Sequence, residues 1–242
     1  MGKVKQGLVV IFSLLPRFAF GLPFEAGFEL AGKSSYVWRG LRLSRGIVAQ
    51  PSVWASFAGW TFSPWANFTL GHRGDGWGLS ELDLMVDYQR ELWGITVQPT
   101  AAGYFYAGLG SKPEVELGLN CVYWIGEVGL KTGHNIVVFP STGNYFGTIG
   151  VSFSKELGCR LTPEISLAAG WGDAQFNQVN YGVEKWRVNV VESELGWNYS
   201  LNGLLMLKPF FELIVVPDRT LRTTGGVDLI QVVIGLTIEK KF

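Results

Sequence analysis

The chain has 242 residues, with 20 Lys and Arg against 20 Asp and Glu, so its formal net charge is zero. This length is short for two ordinary domains and fits one large β architecture. Glycine occurs 32 times and aromatic residues make up 14% of the chain, yet no apolar run after the N-terminus reaches the roughly 18 residues of a transmembrane helix. Its hydrophobic residues are therefore spread over short segments.

The N-terminal residues 1–21 are predicted to be a secretory signal peptide. Lys3 and Lys5 precede the apolar run GLVVIFSLL, and Ala19 and Gly21 offer small residues for cleavage before Leu22. A membrane anchor is disfavoured because the apolar run is about half of a bilayer span. Removal of residues 1–21 leaves 17 basic against 20 acidic residues, so no nucleic-acid partner is expected.

Alternating segments of apolar and polar residues predict twelve β-strands and no helix in residues 22–242. The tight connections at 58–60, 90–93, 125–127, 155–158 and 201–203 alternate with longer loops rich in Gly, Pro and charge. The predicted strands are 25–39, 47–58, 60–72, 79–90, 93–107, 113–125, 127–138, 144–156, 159–171, 186–199, 203–216 and 229–242.

This asymmetry of connections predicts a closed antiparallel transmembrane β-barrel over residues 22–242, with both termini at the short-turn, periplasmic end. Each strand would turn an apolar face to lipid and a charged face to the lumen. In the fourth strand, for example, Leu82, Leu84 and Val86 alternate with Glu81, Asp83 and Asp87. A water-soluble β-sandwich is the alternative, but it would not explain why short and long connections alternate.

Aromatic residues group near the predicted strand ends, as expected for girdles at the two membrane interfaces. One girdle lies toward the short turns and the other toward the loops. The predicted members are Phe57, Trp60, Trp93, Phe153, Tyr199 and Phe242 at the short-turn end, and Tyr36, Trp38, Tyr145 and Trp171 at the loop end.

The segment that begins SSYVWRG at Ser34 resembles the opening of the TorF-like porins and related outer-membrane proteins. In these, a Y-x-W-R-G stretch ends the first strand and a Q-P pair, here Gln50 and Pro51, opens the second. The resemblance implies an outer-membrane location and a transport role. Arg39, Arg42 and Arg45 place positive charges at one rim, where they could meet lipopolysaccharide phosphates or an anionic solute, or serve only as solvated loop charges.

Strand parity assigns twelve acidic and six basic residues to the lumen. We therefore expect a narrow channel for small polar solutes that prefers cations or neutral molecules, with outer-membrane lipids and lipopolysaccharide around it. The alternative is a lumen filled by paired charges, giving a non-conducting structural barrel. The assigned residues are Glu25, Glu29, Lys33, Arg39, Arg73, Glu81, Asp83, Asp87, Glu114, Glu116, Lys131, Arg160, Glu164, Glu192, Glu194, Lys208, Glu212 and Glu239.

An outer-membrane lipid hydrolase is a competing function, because a phospholipase can also be a twelve-stranded barrel. It would need a nucleophile and a base on the lipid-facing surface. His72 has no serine nearby on its strand, and His134 has only Thr132 as a hydroxyl on the same face. We therefore predict no enzymatic activity and no catalytic residues.

No metal or cofactor site is predicted either. Cys121 and Cys159 are interpreted as unpaired, and the chain has no Cys or His spacing typical of a metal site. A scaffold or adhesin would normally carry larger loops or a further domain. The longest loop, 172–185, is the best candidate for a constriction or a surface contact.

The last predicted strand alternates Val232, Ile234, Leu236 and Ile238 on one face and reaches Phe242. A final phenylalanine is typical of barrels that the barrel-assembly machinery inserts, so Phe242 is predicted to be an assembly signal. Lys240 departs from that pattern, since such proteins usually carry an aromatic or apolar residue there.

Overall fold

The structure is a computed structural model that describes residues 24–71, 77–107, 112–140, 142–158 and 160–242. The predicted signal peptide therefore lies outside the described residues, as do His72, Arg73 and Cys159.

Fifteen β-strands and two short helices make up the described part of the chain. In chain order the elements are β1 (Phe24–Lys33), β2 (Tyr36–Trp38), β3 (Leu41–Ser44), β4 (Val48–Phe57), β5 (Trp60–Leu70), β6 (Trp77–Tyr88), β7 (Arg90–Leu92), β8 (Ile95–Tyr106), β9 (Glu114–Ile125), β10 (Val128–Phe139), β11 (Tyr145–Ser154), β12 (Leu161–Gly172), α1 (Ala174–Tyr181), β13 (Arg187–Ser200), β14 (Leu205–Val215), α2 (Arg219–Gly225) and β15 (Ile230–Lys241).

Twelve of these strands form a closed antiparallel barrel, as predicted. Neighbours in sequence pair with each other, and the first strand pairs with the last from Gly27 opposite Lys241 to Lys33 opposite Gly235. The short β7 continues β6 beside β8, and β6 also pairs directly with β8. Every long strand therefore has a partner on both sides, which leaves no free sheet edge.

The two faces of the wall differ as the sequence pattern predicts. On β15, Val232, Ile234 and Leu236 are 44%, 61% and 44% exposed, whereas Val233 between them is fully buried. Large apolar side chains thus project outward along the barrel, and the opposite face of each strand points to the interior.

One end of the barrel has tight turns and the other has long connections, which also agrees with the prediction. Between β4 and β5, Ala58 and Gly59 have φ angles of 52° and 86°. Two successive positive φ angles are typical of a two-residue hairpin turn of type I′. We call this the short-turn end and the opposite one the loop end.

The first barrel strand is shorter than predicted, because it ends at Lys33 rather than at Arg39. After a bend at residues 34–35, β2 and β3 form a separate two-stranded hairpin, residues 36–44. Its turn is Arg39 and Gly40, with φ angles of 50° and 91°. The apolar alternation continues through the bend, so the sequence pattern does not reveal that the chain leaves the wall there.

The prediction that Tyr36 and Trp38 belong to an outward aromatic girdle is wrong. Tyr36 is buried, with its ring 5.8 Å from that of Trp65. The Trp38 ring lies 6.0 Å from that of Phe176 on α1. Both side chains therefore pack against other parts of the molecule, because the hairpin folds into the barrel instead of extending its wall.

Two short helices lie in loops where the sequence predicted none. The Asp173 side chain accepts a 2.6 Å hydrogen bond from the Phe176 amide at the start of α1, which ends at Gly182 with φ of 73°. Asp218 caps α2 in the same way through the Leu221 amide at 3.0 Å. Among the described residues, no helix is long and apolar enough to cross a membrane.

An apolar cluster fills the loop end of the barrel interior. It joins inward-facing wall residues to both helices and to the hairpin, so the loops are packed into the mouth rather than standing above it. Its buried members are Phe146, Phe176, Tyr181, Val183, Val190, Ile214, Val216, Leu221 and Val233, with Val37, Trp38, Leu41 and Val227 packed against them.

Candidate functional site

The hairpin crosses the barrel interior and is tied to the opposite wall by Arg39. The Arg39 Nη2 donates a 2.8 Å hydrogen bond to Glu116 Oε1 on β9, and the Tyr104 hydroxyl donates to the same oxygen at 3.2 Å. The Arg39 and Glu116 side chains are only 12% and 5% exposed. A charged pair this far from water makes a stronger electrostatic contact than a surface pair does.

Three aromatic rings surround the guanidinium of Arg39. Its Cζ lies 4.6 Å from the ring centroids of both Trp38 and Phe146, and 5.6 Å from that of Phe176. Cations are attracted to aromatic faces at such distances. Arg39 is therefore held by one carboxylate and several rings at once.

The hairpin backbone is fastened to α1 and to the last strand. The Tyr181 hydroxyl donates a 2.7 Å hydrogen bond to the Arg39 carbonyl, and Gln231 Nε2 donates at 2.6 Å to the Gly40 carbonyl. Burial raises the pKa of Tyr181 to about 12, so its hydroxyl remains a donor at neutral pH. These bonds fix the turn of the hairpin in the barrel mouth.

Arg42 also points to an internal partner. Its Nε donates to Gln231 Oε1 at 3.1 Å and its Nη1 lies 3.1 Å from Asp228 Oδ2. The expectation that Arg39, Arg42 and Arg45 form a cationic outer rim is therefore wrong for Arg39 and Arg42, because both charges are engaged by carboxylates of the chain itself.

A row of carboxylates faces the hairpin from β6 and β9, and we call Glu81, Asp83, Glu114 and Glu116 the acid wall. The strand register places Asp83 opposite Tyr104, and Tyr104 opposite Glu114. Glu81, Asp83 and Glu116 are 4%, 7% and 4% exposed. Four carboxylates are thus concentrated on two strands that flank β8 at the loop end.

The acid wall has little positive charge to balance it. Arg39 pairs with Glu116, and the Tyr36 hydroxyl donates to Glu81. Within the described ranges, no lysine or arginine forms an ion pair with Glu81, Asp83 or Glu114. The Asp83 Oδ1 is buried and has no hydrogen-bond partner among the residues that the structure describes.

Toward the short-turn end the interior opens into polar cavities, which together we call the vestibule. One has a volume of about 400 Å³ and is lined by residues that include Lys131, Glu164 and Lys208. Another, of about 240 Å³, is bordered by Glu29 and Lys33 among others. The vestibule is therefore lined largely by polar and charged side chains.

Charges in the vestibule are mostly paired with each other. Lys33 lies 3.1 Å from Glu212, and Lys208 lies 2.9 Å from Glu194 and 3.5 Å from Glu164. The charges of Lys33 and Lys208 are thus neutralised locally, in contrast to the acid wall.

The other residues assigned to the lumen lie at different heights. Asp87 accepts a 2.8 Å hydrogen bond from Gln98 toward the short-turn end, and Glu192 lines a separate polar cavity beside Lys33 and Glu212. Arg160 is exposed in the turn before β12, outside the barrel strands. Arg73 lies outside the described residues. The structure thus brings most of the assigned carboxylates into one interior but leaves Arg160 at its edge.

Sequence reasoning missed Tyr104, Tyr181 and Gln231, which hold the hairpin and the acid wall together. None carries a charge, so a search for charged lumen residues passes over them. Gln231 gave one indication, since it is a polar residue on the buried face of an otherwise apolar strand.

His134 lies on the outward face between two hydroxyl groups. Its Nε2 is 3.1 Å from Thr132 Oγ1 and its Nδ1 is 2.6 Å from the Tyr145 hydroxyl. The Thr132 hydroxyl donates to the Thr148 carbonyl at 3.0 Å, so its proton is directed away from the imidazole. A nucleophile activated by a base needs the opposite arrangement, and this histidine is satisfied by its neighbours.

Cys121 is a free thiol in the structure. Across the described ranges, no group of three or more His, Cys, Asp or Glu side chains is arranged to hold a metal ion.

Comparison with known proteins finds similarity in structure but not in sequence. No protein-family model and no curated protein sequence matches the chain, so the TorF-like resemblance rests on the segment around Tyr36 alone. The structure of the NanC porin matches with a TM-score of 0.60 and 10% identity, covering 89% of this chain and 100% of that one. The barrel has a porin-like fold.

Two further structures support this fold. The KdgM porin in complex with disordered oligogalacturonate matches with a TM-score of 0.55 and 9% identity, covering 90% of this chain and 99% of that one. An outer membrane channel from Pseudomonas putida F1 matches with a TM-score of 0.50 and 12% identity, covering 94% and 99%. At these identities the similarity concerns the fold.

Proposed function

We propose that the protein is an outer-membrane channel for small polar solutes that favours cations and neutral molecules over anions. The porin-like fold, the closed wall and its apolar outer face support a barrel in the outer membrane, with the short turns in the periplasm. The hydrophilic vestibule supports passage of polar solutes, and the hairpin narrows that passage at the loop end.

The acid wall is the observation that carries the proposed selectivity. Three of its carboxylates, those of Glu81, Asp83 and Glu114, lack a basic partner among the described residues. Two unit charges about 4 Å apart interact with about 4 kcal/mol at an effective dielectric constant near 20. An anion passing the constriction would meet repulsion from these carboxylates where they are ionised, and a cation would meet attraction.

The interior charge also bears on the class of solute. The KdgM porin was captured with oligogalacturonate, a ligand in which every sugar carries a carboxylate. An interior in which carboxylates outnumber basic groups is poorly suited to such a polyanion. We therefore propose that the solutes of this protein are cationic or uncharged.

The proposed surroundings of the barrel are outer-membrane lipids and lipopolysaccharide. Trp60 and Trp93 at the short-turn end are 56% and 95% exposed, which suits amphipathic rings at a membrane interface. Phe242 is 73% exposed at the same end, and we propose that it is presented to the barrel-assembly machinery.

Electrical recording from planar bilayers tests the proposal. Refolded protein is inserted between solutions that differ in potassium chloride concentration, and the reversal potential gives the ratio of potassium to chloride permeability. We expect current steps and a reversal potential of the sign for cation preference. A potential of the opposite sign would overturn the proposed selectivity.

A non-conducting structural barrel is the second candidate. It is favoured by the hairpin and by the apolar cluster, which together occupy the loop end of the interior. Insertion of folded protein without any current steps would support it over the channel.

A further inference from the structure

We infer that the acid wall is a binding site for an organic cation that carries a guanidinium or primary ammonium group. This inference rests on the proposed function, because the ligand would reach the wall as a permeating solute. It goes further in assigning the site, its residues and the chemical class of the ligand.

The first argument is the state of Asp83. This residue is 7% exposed, and its Oδ1 has neither solvent nor a hydrogen-bond partner. A buried carboxylate without a partner is costly, since both its charge and its lone pairs have lost water. A bound donor with a positive charge would supply both missing interactions.

The second argument is that neighbouring charges leave a negative balance. Arg39 neutralises Glu116, and the other Glu116 oxygen, Oε2, is also buried without a partner. Asp83 and Glu114 stand on either side of Tyr104 in the strand register, about 10 Å apart along the sheet. A cation above Tyr104 would lie between these two carboxylates.

The third argument concerns the chemistry of the ligand. The acidic groups are not grouped closely enough to hold a metal ion anywhere in the described ranges. Tyr104 lies opposite Asp83 in the strand register and Tyr106 lies opposite Glu81, so aromatic residues flank these carboxylates. Carboxylates with aromatic rings are the surroundings that suit organic cations.

Arg39 provides an internal example of the same recognition. Its guanidinium binds Glu116 with aromatic rings around it, directly beside the unpaired part of the acid wall. The acid wall thus already binds one guanidinium, that of Arg39. Its other carboxylates are left for a second cation.

Isothermal titration calorimetry of the refolded full barrel in detergent tests the site. The probes are butylguanidinium and butylurea, which have similar shape but differ in charge. We expect butylguanidinium to bind and butylurea not to bind. Absence of butylguanidinium binding, or equal binding of both probes, would overturn the inference.

Variants localise the site. Asp83→Asn should weaken butylguanidinium binding at least about tenfold, since a charge-assisted hydrogen bond is replaced by a neutral contact. Asp83→Glu should retain binding. Glu156→Gln removes the same charge from an exposed turn and should bind as the unmodified protein does. Unchanged affinity in Asp83→Asn would place the ligand elsewhere and overturn the assignment.

The binding measurement and the bilayer recording can fail independently of each other. Calorimetry in detergent requires no conduction, so binding by a barrel that shows no current steps supports the site while rejecting the channel. Conversely, a cation-selective channel that does not bind butylguanidinium rejects the site and keeps the proposed function. Heat-dependent migration in gels verifies that each variant is folded before either measurement.

Discussion

Arg39 and Glu116, 77 positions apart in the chain, meet inside the barrel at 2.8 Å and join the hairpin to the far wall. A second side chain of the hairpin, that of Tyr36, donates to Glu81 on β6. The width of the passage at the loop end therefore depends on a small number of polar contacts.

Arg39→Ala should raise single-channel conductance severalfold. The change removes the guanidinium that crosses the interior to Glu116, so the passage beside the turn is expected to widen even though Tyr181 and Gln231 still hold the hairpin backbone. Lys155→Ala is the control, because Lys155 pairs with Glu127 in an exposed turn at the short-turn end. Equal conductance of Arg39→Ala and unmodified protein would show that the hairpin does not limit the current.

Neutralising Glu81, Asp83 and Glu114 together, as Glu81→Gln, Asp83→Asn and Glu114→Gln, should reduce the preference for potassium over chloride. The reason is the loss of the local negative potential at the constriction. Reversal potentials in a salt gradient measure the effect.

The matched control for this triple variant removes three exposed charges as Glu91→Gln, Glu156→Gln and Glu184→Gln. It should keep the original selectivity, since exposed charges are screened by salt. If both triple variants lose selectivity equally, total charge rather than the acid wall determines it.

Phe176→Ala should loosen the apolar cluster at the loop end. Phe176 is 1% exposed, and its ring lies 5.0 Å from that of Phe146. Removal of a buried phenylalanine costs about 3–5 kcal/mol, and here the loss falls on a helix of eight residues. The measurement is the rate of protease cleavage within residues 173–186 of protein in vesicles, which should increase.

Val179→Ala on the exposed face of α1 should leave the rate unchanged, and equal protection in both variants would contradict a packing role for Phe176.

Phe242→Ala should lower the amount of assembled barrel in outer-membrane fractions. The Phe242 amide donates to the Ala26 carbonyl at 3.0 Å, but its ring remains exposed and is free to be recognised. Heat-dependent gel migration of membrane fractions measures assembly, with Phe57→Ala as an exposed aromatic control at the same end. Normal levels of Phe242→Ala would argue against an assembly signal.

The barrel was predictable from sequence because its two determinants are local. Alternation of residues such as Leu82 and Asp83 determines which face of each strand is buried. Tight turns such as Ala58–Gly59 identify the short-turn end of the barrel. Strand bounds agree within a few residues except in the first strand, where alternation continues through the bend at residues 34–35.

The constriction was less predictable, because it depends on contacts between distant parts of the chain. The alternation pattern places Arg39 in the interior. It does not identify Glu116 as its partner, because that pairing depends on the number of strands and on their register. The two helices were missed because each spans about two turns, too short for a helical period to appear. Their caps were visible as Asp173 and Gly182, and as Asp218 and Gly226.

The contacts of Gly40 and Arg42 with Gln231 and Asp228 imply an order of events during folding. The hairpin is made early in synthesis, yet its docking partners belong to the last strand and to the segment before it. The turn at Arg39 and Gly40 therefore cannot take its final place until residues 228–231 have arrived. A chain that fails to bring in its final strand would also lack a properly seated hairpin.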